Sequence, residues 1–149
     1  MTFKCKEEAL ESSSCIFHDK NYLNHYLSSF REERKKKVKN RLMDMINKVS
    51  SLEPLLCIGY HLPDIKIEGT LSKPVHFIQS KFEGTADFSE ATFSGEAIFK
   101  EATFSGEASF KGATFLGKTY FATATFFREA DFSGANFQGE YLMRYPSIL

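Results

Sequence analysis

The second half of the chain carries a strictly spaced series of phenylalanines. The steps between neighbouring members alternate between five and six residues, so the true period is eleven, as in GEAIFKEATFS followed by GEASFKGATFL. The twelve members are Phe77, Phe82, Phe88, Phe93, Phe99, Phe104, Phe110, Phe115, Phe121, Phe126, Phe132 and Phe137. A repeat this regular indicates that one structural unit stacks on itself, each copy burying its apolar side chain against the next.

Neither an α-helix nor a flat strand can bury this series. In a helix, steps of five and six residues turn by roughly 140° and 240°, which places successive Phe on opposite sides. In a strand, odd and even steps exchange the two faces. A solenoid with a corner at every step keeps each Phe inside, and four steps make one turn of about 22 residues. We therefore predict four internal stacks, Phe77/Phe99/Phe121, Phe82/Phe104/Phe126, Phe88/Phe110/Phe132 and Phe93/Phe115/Phe137.

Small residues accompany the series. From residue 86 onward, Ala or Thr lies two positions before each Phe, where a larger side chain would clash inside the coil. Glycine follows two positions after the Phe that opens each six-residue step, and only Arg128 interrupts this column. Its members are Gly84, Gly95, Gly106, Gly117 and Gly139. We predict that these glycines adopt positive φ at the longer corners, which would make Arg128 a strained corner.

Three segments fit the five-residue pattern A-(D/N)-(L/F)-x-x, namely ADFSE at 86–90, ADFSG at 130–134 and ANFQG at 135–139. This pattern resembles that of the pentapeptide-repeat family, and the resemblance covers nearly half of the chain. It implies a mainly β fold, a right-handed quadrilateral β-helix. Some members of that family modulate topoisomerases by mimicking DNA, a mechanism that needs a long and strongly negative rod.

The series also predicts how the chain is divided. Residues 77–143 would form about three coils of the β-helix, and 51–76 an irregular coil before it. Residues 21–50 are predicted to form an amphipathic helix that caps the β-helix, because their apolar residues advance by three or four. Residues 1–20 would be a Cys/His leader, and 144–149 a C-terminal tail.

Counting back one full turn from the first phenylalanines predicts which residues of the irregular coil lie beneath them. It places Tyr60 beneath Phe82 and Leu71 beneath Phe93. The same offset places Lys66 beneath Phe88, which is unsuitable for a core position.

The formal net charge of the 149 residues is zero, but it is unevenly distributed. Residues 1–50 carry +4 and residues 81–140 carry −4, which suggests two segments with different roles. Three cysteines do not suggest a disulfide framework. The N-terminus has no apolar signal core and no run reaches 18 apolar residues, so we expect a soluble, cytoplasmic protein.

The leader contains the motif Cys5-x9-Cys15-x2-His18, and Cys and His are the ligands that zinc prefers. The segment resembles a zinc-knuckle-like leader found on some pentapeptide-repeat proteins, where a further upstream Cys completes four ligands. Here His25, Asp19 or a water would supply the fourth. The alternative is a degenerate knuckle that holds no metal and is maintained by packing of Phe17.

The remaining chemistry-bearing residues favour structural roles. The basic run at 31–41 is interrupted by acids and is predicted to be a solvated helix face. Cys57 in LLCIGY is predicted to be a core residue without a lowered pKa. His61 and His76 have no nucleophile at a recognisable spacing, and the glycines form no phosphate-binding motif.

A regular solenoid offers flat faces rather than deep pockets, so we expect no enzyme but a structural or protein-interaction scaffold. Its partner would be a protein, with neither nucleic acid nor a membrane expected, and a homodimer through a coil end or the helix stays open. One alternative is a zinc-dependent binding module that uses the leader. The other, implied by the resemblance, is a DNA-mimicking topoisomerase modulator, against which the short rod and weak charge count.

Overall fold

Each step of the repeat forms a short extended stretch followed by a corner. In the computed structural model, which describes residues 28–48, 53–143 and 147–148, every strand is two residues long. Strands one turn apart pair in parallel and build four sheets around a common core. This arrangement confirms the mainly β, four-sided solenoid predicted from the Phe series.

The chain visits the four sheets in turn after one helix, α1 Ser28–Asn47. Sheet 1 contains β1 Leu55–Leu56, β5 Val75–His76, β9 Ala97–Ile98, β13 Thr119–Tyr120 and β17 Tyr141–Leu142. Sheet 2 contains β2 His61–Leu62, β6 Lys81–Phe82, β10 Thr103–Phe104, β14 Thr125–Phe126 and β18 Ser147–Ile148. Sheet 3 contains β3 Ile65–Lys66, β7 Ala86–Asp87, β11 Ala108–Ser109 and β15 Ala130–Asp131. Sheet 4 contains β4 Thr70–Leu71, β8 Thr92–Phe93, β12 Thr114–Phe115 and β16 Asn136–Phe137.

The pairing in sheet 1 defines about four turns. Leu55 pairs with Val75, Val75 with Ala97, Ala97 with Thr119, and Thr119 with Tyr141. We call the segments between these residues coil 1 (55–74), coil 2 (75–96), coil 3 (97–118) and coil 4 (119–140). A fifth coil begins at Tyr141.

Stacked phenylalanines fill the interior, and all four predicted stacks are confirmed. The rings of Phe82 and Phe104 have centroids 4.5 Å apart and lie within 2° of parallel. Phe99 and Phe121 stack at 4.7 Å, and Phe88 and Phe110 at 4.9 Å. These separations match the spacing of about 4.8 Å between hydrogen-bonded strands, so the backbone sets the distance between the rings.

Coil 1 differs from the prediction, because it is shorter than the others. Leu62, and not Tyr60, pairs with Phe82, while Leu71 pairs with Phe93 as predicted. Lys66 pairs with Asp87 and points outward, which leaves the buried Ile67 in the slot beneath Phe88. The offset between paired residues thus grows from 20 in sheets 1 and 2 to 21 in sheet 3 and 22 in sheet 4.

The two kinds of corner have different backbones. After the Phe that opens each five-residue step, the chain makes a tight turn with a hydrogen bond such as Ala102 N–H to Phe99 O, 3.1 Å. The second residue after that Phe has positive φ, whether it is Gly112 (65°), Glu101 (58°) or Thr123 (57°). This geometry is that of a turn whose third position favours glycine.

The glycine column at the longer corners has another cause, and the prediction of positive φ there is wrong. None of the column's five glycines has positive φ. A Cβ on Gly106 would instead lie 2.5 Å from the backbone of Gly84, and one on Gly117 would lie 2.5 Å from the carbonyl carbon of Gly95. At Gly106 and Gly117, a side chain would clash with the backbone of the preceding coil, and this close approach explains the glycine.

Arg128 is consequently not the strained corner that was predicted, since its φ is not positive. Arg128 lies one turn after Gly106 in the same column, where the backbones of adjacent coils would be expected to approach each other as closely as they do at Gly106. The bend there spans two residues, Phe127 and Arg128. The flanking hydrogen bonds persist, with Phe127 N–H to Phe104 O at 2.9 Å and Ala108 N–H to Glu129 O at 3.0 Å.

Replacing Thr123 by Gly is expected to stabilise the protein by about 1 kcal/mol. A β-branched residue at φ 57° is strained by about 1–2 kcal/mol. Glycine removes this strain, but it also raises the conformational entropy of the unfolded chain, which cancels part of the gain in stability. Urea unfolding followed by circular dichroism measures the change. Thr92→Gly, at a strand position, is the control and should lose stability, so equal gains at both sites would contradict the assignment of strain.

Helix α1 packs its apolar face on coil 1. Val38 and Leu42 are buried within the same core as Leu55 and Cys57, and Met45 is partly buried against it. The predicted helical cap is therefore present between Ser28 and Asn47, while the part predicted at 21–27 lies outside the described residues.

At the other end, β18 pairs with β14 and places Ile148 opposite Phe126, so the tail extends sheet 2.

Candidate functional surfaces

The predicted zinc ligands Cys5, Cys15 and His18 lie outside the described residues, as do His25 and Asp19. Zinc binding by the leader therefore stays a prediction. Among residues 28–48 and 53–143, no group of three or more His, Cys, Asp or Glu side chains is arranged to hold a metal ion.

Cys57 is a core residue, as predicted. Its side chain is fully buried in coil 1, and burial raises the pKa of the thiol far above its usual value. Because the thiolate is the reactive form, this cysteine is protected from acting as a nucleophile.

His61 and His76 each bond to a glutamate about one turn later in the chain, on the outside of the solenoid. His61 Nδ1 lies 2.9 Å from Glu83 Oε1, and His76 Nε2 lies 2.9 Å from Glu96 Oε2. Each pair connects two successive turns of the backbone, which agrees with the structural role predicted for both histidines.

The outward face of sheet 3 is acidic. Asp87, Ser109 and Asp131 stand in register on successive strands, and Glu107 and Glu129 line the same shallow groove. In coil 1 the same row carries the basic Lys66. The Ser133 hydroxyl and backbone N–H lower the pKa of Asp131 by hydrogen bonding to its carboxylate. Partial burial raises the pKa of Asp87, but the matching hydrogen bonds from Ser89 outweigh this and leave that pKa lowered.

Sheets 2 and 4 present mainly hydroxyl groups. In sheet 4, Thr92, Thr114 and Asn136 stand in register and form a polar row. In sheet 2, Thr103 and Thr125 form a second row. An open groove on sheet 2 is lined by Lys81, Thr103, Ser105, Thr125, Phe127 and Arg128.

Sheet 1 is different, because its central outward row is mainly apolar. This row, which we call the apolar stripe, runs through all five coils in strict register. Its members are Leu56, His76, Ile98, Tyr120 and Leu142. Leu56 is 49% exposed, and Ile98, Tyr120 and Leu142 are partly exposed.

Comparison with known proteins agrees with this geometry. The sequence model of the family described as pentapeptide repeats (9 copies) matches residues 70–114 and 99–144, which together span 75 of the 149 residues. The chain belongs to the pentapeptide-repeat family. Searches of curated proteins and of solved structures returned no match.

The pentapeptide repeat explains the acidic residues of sheet 3. In ADFSE and ADFSG, the Asp carboxylate accepts the N–H of the Ser two residues later, at 2.9 Å for Ser89 and 2.8 Å for Ser133. Such a side chain closes the turn locally. The aspartate of the repeat is therefore a turn-forming residue.

Glu96, Lys118 and Glu140 lie one turn apart beside sheet 1 and alternate in charge. Lys118 Nζ lies 3.6 Å from Glu140 Oε2, whereas Glu96 bonds to His76 instead. The apolar stripe was not predicted, although the sequence holds its signal in the residue before Phe99 and Phe121.

Within the described part of the chain, no helix combines the length and apolar character that crossing a membrane requires.

Proposed function

We propose that this pentapeptide-repeat protein is a non-catalytic scaffold that binds another protein through one outward face of its solenoid. The observation that supports the proposal is the different chemistry of the four faces: apolar on sheet 1, acidic on sheet 3, and largely hydroxyl-bearing on sheets 2 and 4. A solenoid that had only to be stable would need no such difference between its outward faces, because all four sheets contribute similar apolar side chains to its core.

The described residues give little support for chemistry on a small substrate. Cys57 is buried with a raised pKa, and both outward histidines are engaged with glutamates about one turn later in the chain. The described grooves on sheets 2 and 3 are open to solvent, whereas small-molecule sites usually enclose most of the ligand. Protein recognition is the use that suits flat faces.

Site-specific photocross-linking in the native cell tests the proposal. Benzoylphenylalanine is placed at one outward position of coil 3 in each sheet, at Ile98, Thr103, Ser109 or Thr114. We expect a discrete adduct at one face and little at the opposite face, so each face serves as the control for another. Absence of adducts from all four positions, or identical adducts from all four, would overturn the scaffold proposal.

A further inference from the structure

Apart from His76, which bonds to Glu96, the members of the apolar stripe are not needed to hold the solenoid together. Outward positions of the other three sheets carry Asp87, Thr103 and Thr114, and the same fold tolerates them. The inward positions of sheet 1 already supply the core through Val75, Ala97 and Thr119. Contiguous exposed apolar groups that the fold does not need are candidates for a protein-binding surface.

The stripe is long and narrow. Its five members span four strand spacings, which is about 19 Å, and a side of the coil with three extended residues is about 10 Å wide. That face offers roughly 200 Å², far less than the ~800 Å² per partner of a standard stable interface. The face is therefore too small to hold a stable dimer by itself, and a narrow partner docked on it would bind transiently.

The spacing of the stripe fits the apolar face of an α-helix. Alternating three- and four-residue steps along a helix advance by about 5.3 Å, close to the ~4.8 Å between coils, so knobs on the helix enter the gaps between successive rows. Over the whole stripe the mismatch is only about 2 Å. An extended peptide presents a side chain to one face every ~6.7 Å and falls out of step at once.

The edges of the stripe also suit such a partner. Glu96, Lys118 and Glu140 follow one edge with alternating sign, and Lys100 and Glu101 lie at the other. The charged residues that flank the apolar stripe of an amphipathic helix would meet these groups.

We propose that the apolar stripe of sheet 1 docks an amphipathic α-helix of a partner protein, about 13 residues long and lying along the solenoid axis. This inference rests on the proposed scaffold function and names the face and the partner's structure. The helix is recognised by aliphatic side chains at alternating three- and four-residue spacing.

Fluorescence anisotropy with two labelled probe peptides tests the docking on the full chain. Both are peptides of equal length and identical Leu, Glu and Lys content, one with Leu at alternating three- and four-residue steps and one with Leu at every second position. We expect the helix-patterned peptide to bind at least about tenfold more tightly, and Tyr120→Asp to weaken it by about tenfold or more. Thr114→Asp on sheet 4 is the matched control and should leave binding unchanged.

Equal binding of the two peptides, or binding that survives Tyr120→Asp, would overturn the proposal. So would a dimer in analytical ultracentrifugation that Ile98→Asp abolishes, because a second copy would then occupy the face. A cross-link from position 98 to residues 1–27 of the same chain would overturn it in favour of this chain's own leader. Adducts in the cell from sheets 2, 3 or 4 only would reject the stripe while supporting the scaffold.

Discussion

Phe110→Ala is expected to lower the free energy of unfolding by about 4–5 kcal/mol, the upper end of the range for removing a buried Phe. Phe110 is fully buried and stacks on Phe88 at 4.9 Å and on Phe132 at 4.8 Å, with Phe99 and Phe121 meeting it edge-on at 5.5 and 5.2 Å. The hydrogen-bonded strands fix the coil spacing, so the neighbouring rings cannot close the cavity. Urea unfolding, with both midpoint and slope recorded, measures the loss.

Phe137→Ala provides the matched control at the end of the solenoid. Phe137 is only partly buried, and it stacks on Phe115 at 4.7 Å with Tyr141 on its other side. We expect a loss of about 1–2 kcal/mol, because less area is buried and the end of the stack can relax. If both variants lost the same amount, the argument that a fixed coil spacing prevents collapse would be wrong.

The interior of coils 2 to 4 could be predicted because the sequence encodes its period directly. Steps of five and six place Phe88, Phe110 and Phe132 in one stack, which neither a helix nor a flat strand would bury. Coil 1 could not be predicted in the same way. There Leu62 and Ile67 replace Phe, and the step from Ile67 to Leu71 has only four residues.

Which residues join each outward row depends on how coil 1 pairs with coil 2. With the constant offset of the later coils, Pro54 would lie beneath His76, and Leu56 would not join the row of Ile98 and Tyr120. The observed pairing of Leu56 with His76 follows the shorter offset of coil 1 and extends the apolar stripe into that coil. The pattern was present in the sequence, but the shorter first coil concealed it.

The reason for the glycine column could not be predicted from the sequence either, but for a different cause. Glycine is compatible both with positive φ and with a close approach of two backbones, and the sequence alone does not distinguish these causes. The structure assigns them to different corners. Gly112 and Gly134 have φ of 65° and 68°, whereas Gly106 and Gly117 lie against the backbone of the preceding coil.

Gly117→Ala is therefore expected to cost about 3 kcal/mol or more, at the upper end for overpacking. The added Cβ would lie 2.5 Å from Gly95 C and 2.9 Å from Glu96 N, and closer still to Gly95 O. All three are backbone atoms that cannot move without breaking the pairing between coils 2 and 3. A fall in the urea midpoint, together with faster amide exchange in sheet 1 at Ala97 and Phe99, would show where the strain is released.

Gly134→Ala separates the two causes, because it adds the same methyl group at φ 68° with its nearest neighbour 3.8 Å away. Left-handed strain alone costs about 1 kcal/mol once the unfolded-state entropy of glycine is considered. We expect the loss at position 117 to be at least twice that at position 134. The reverse order would mean that backbone conformation, and not the approach of adjacent coils, fixes glycine in the longer corner, and it would return Arg128 to the role of a strained residue.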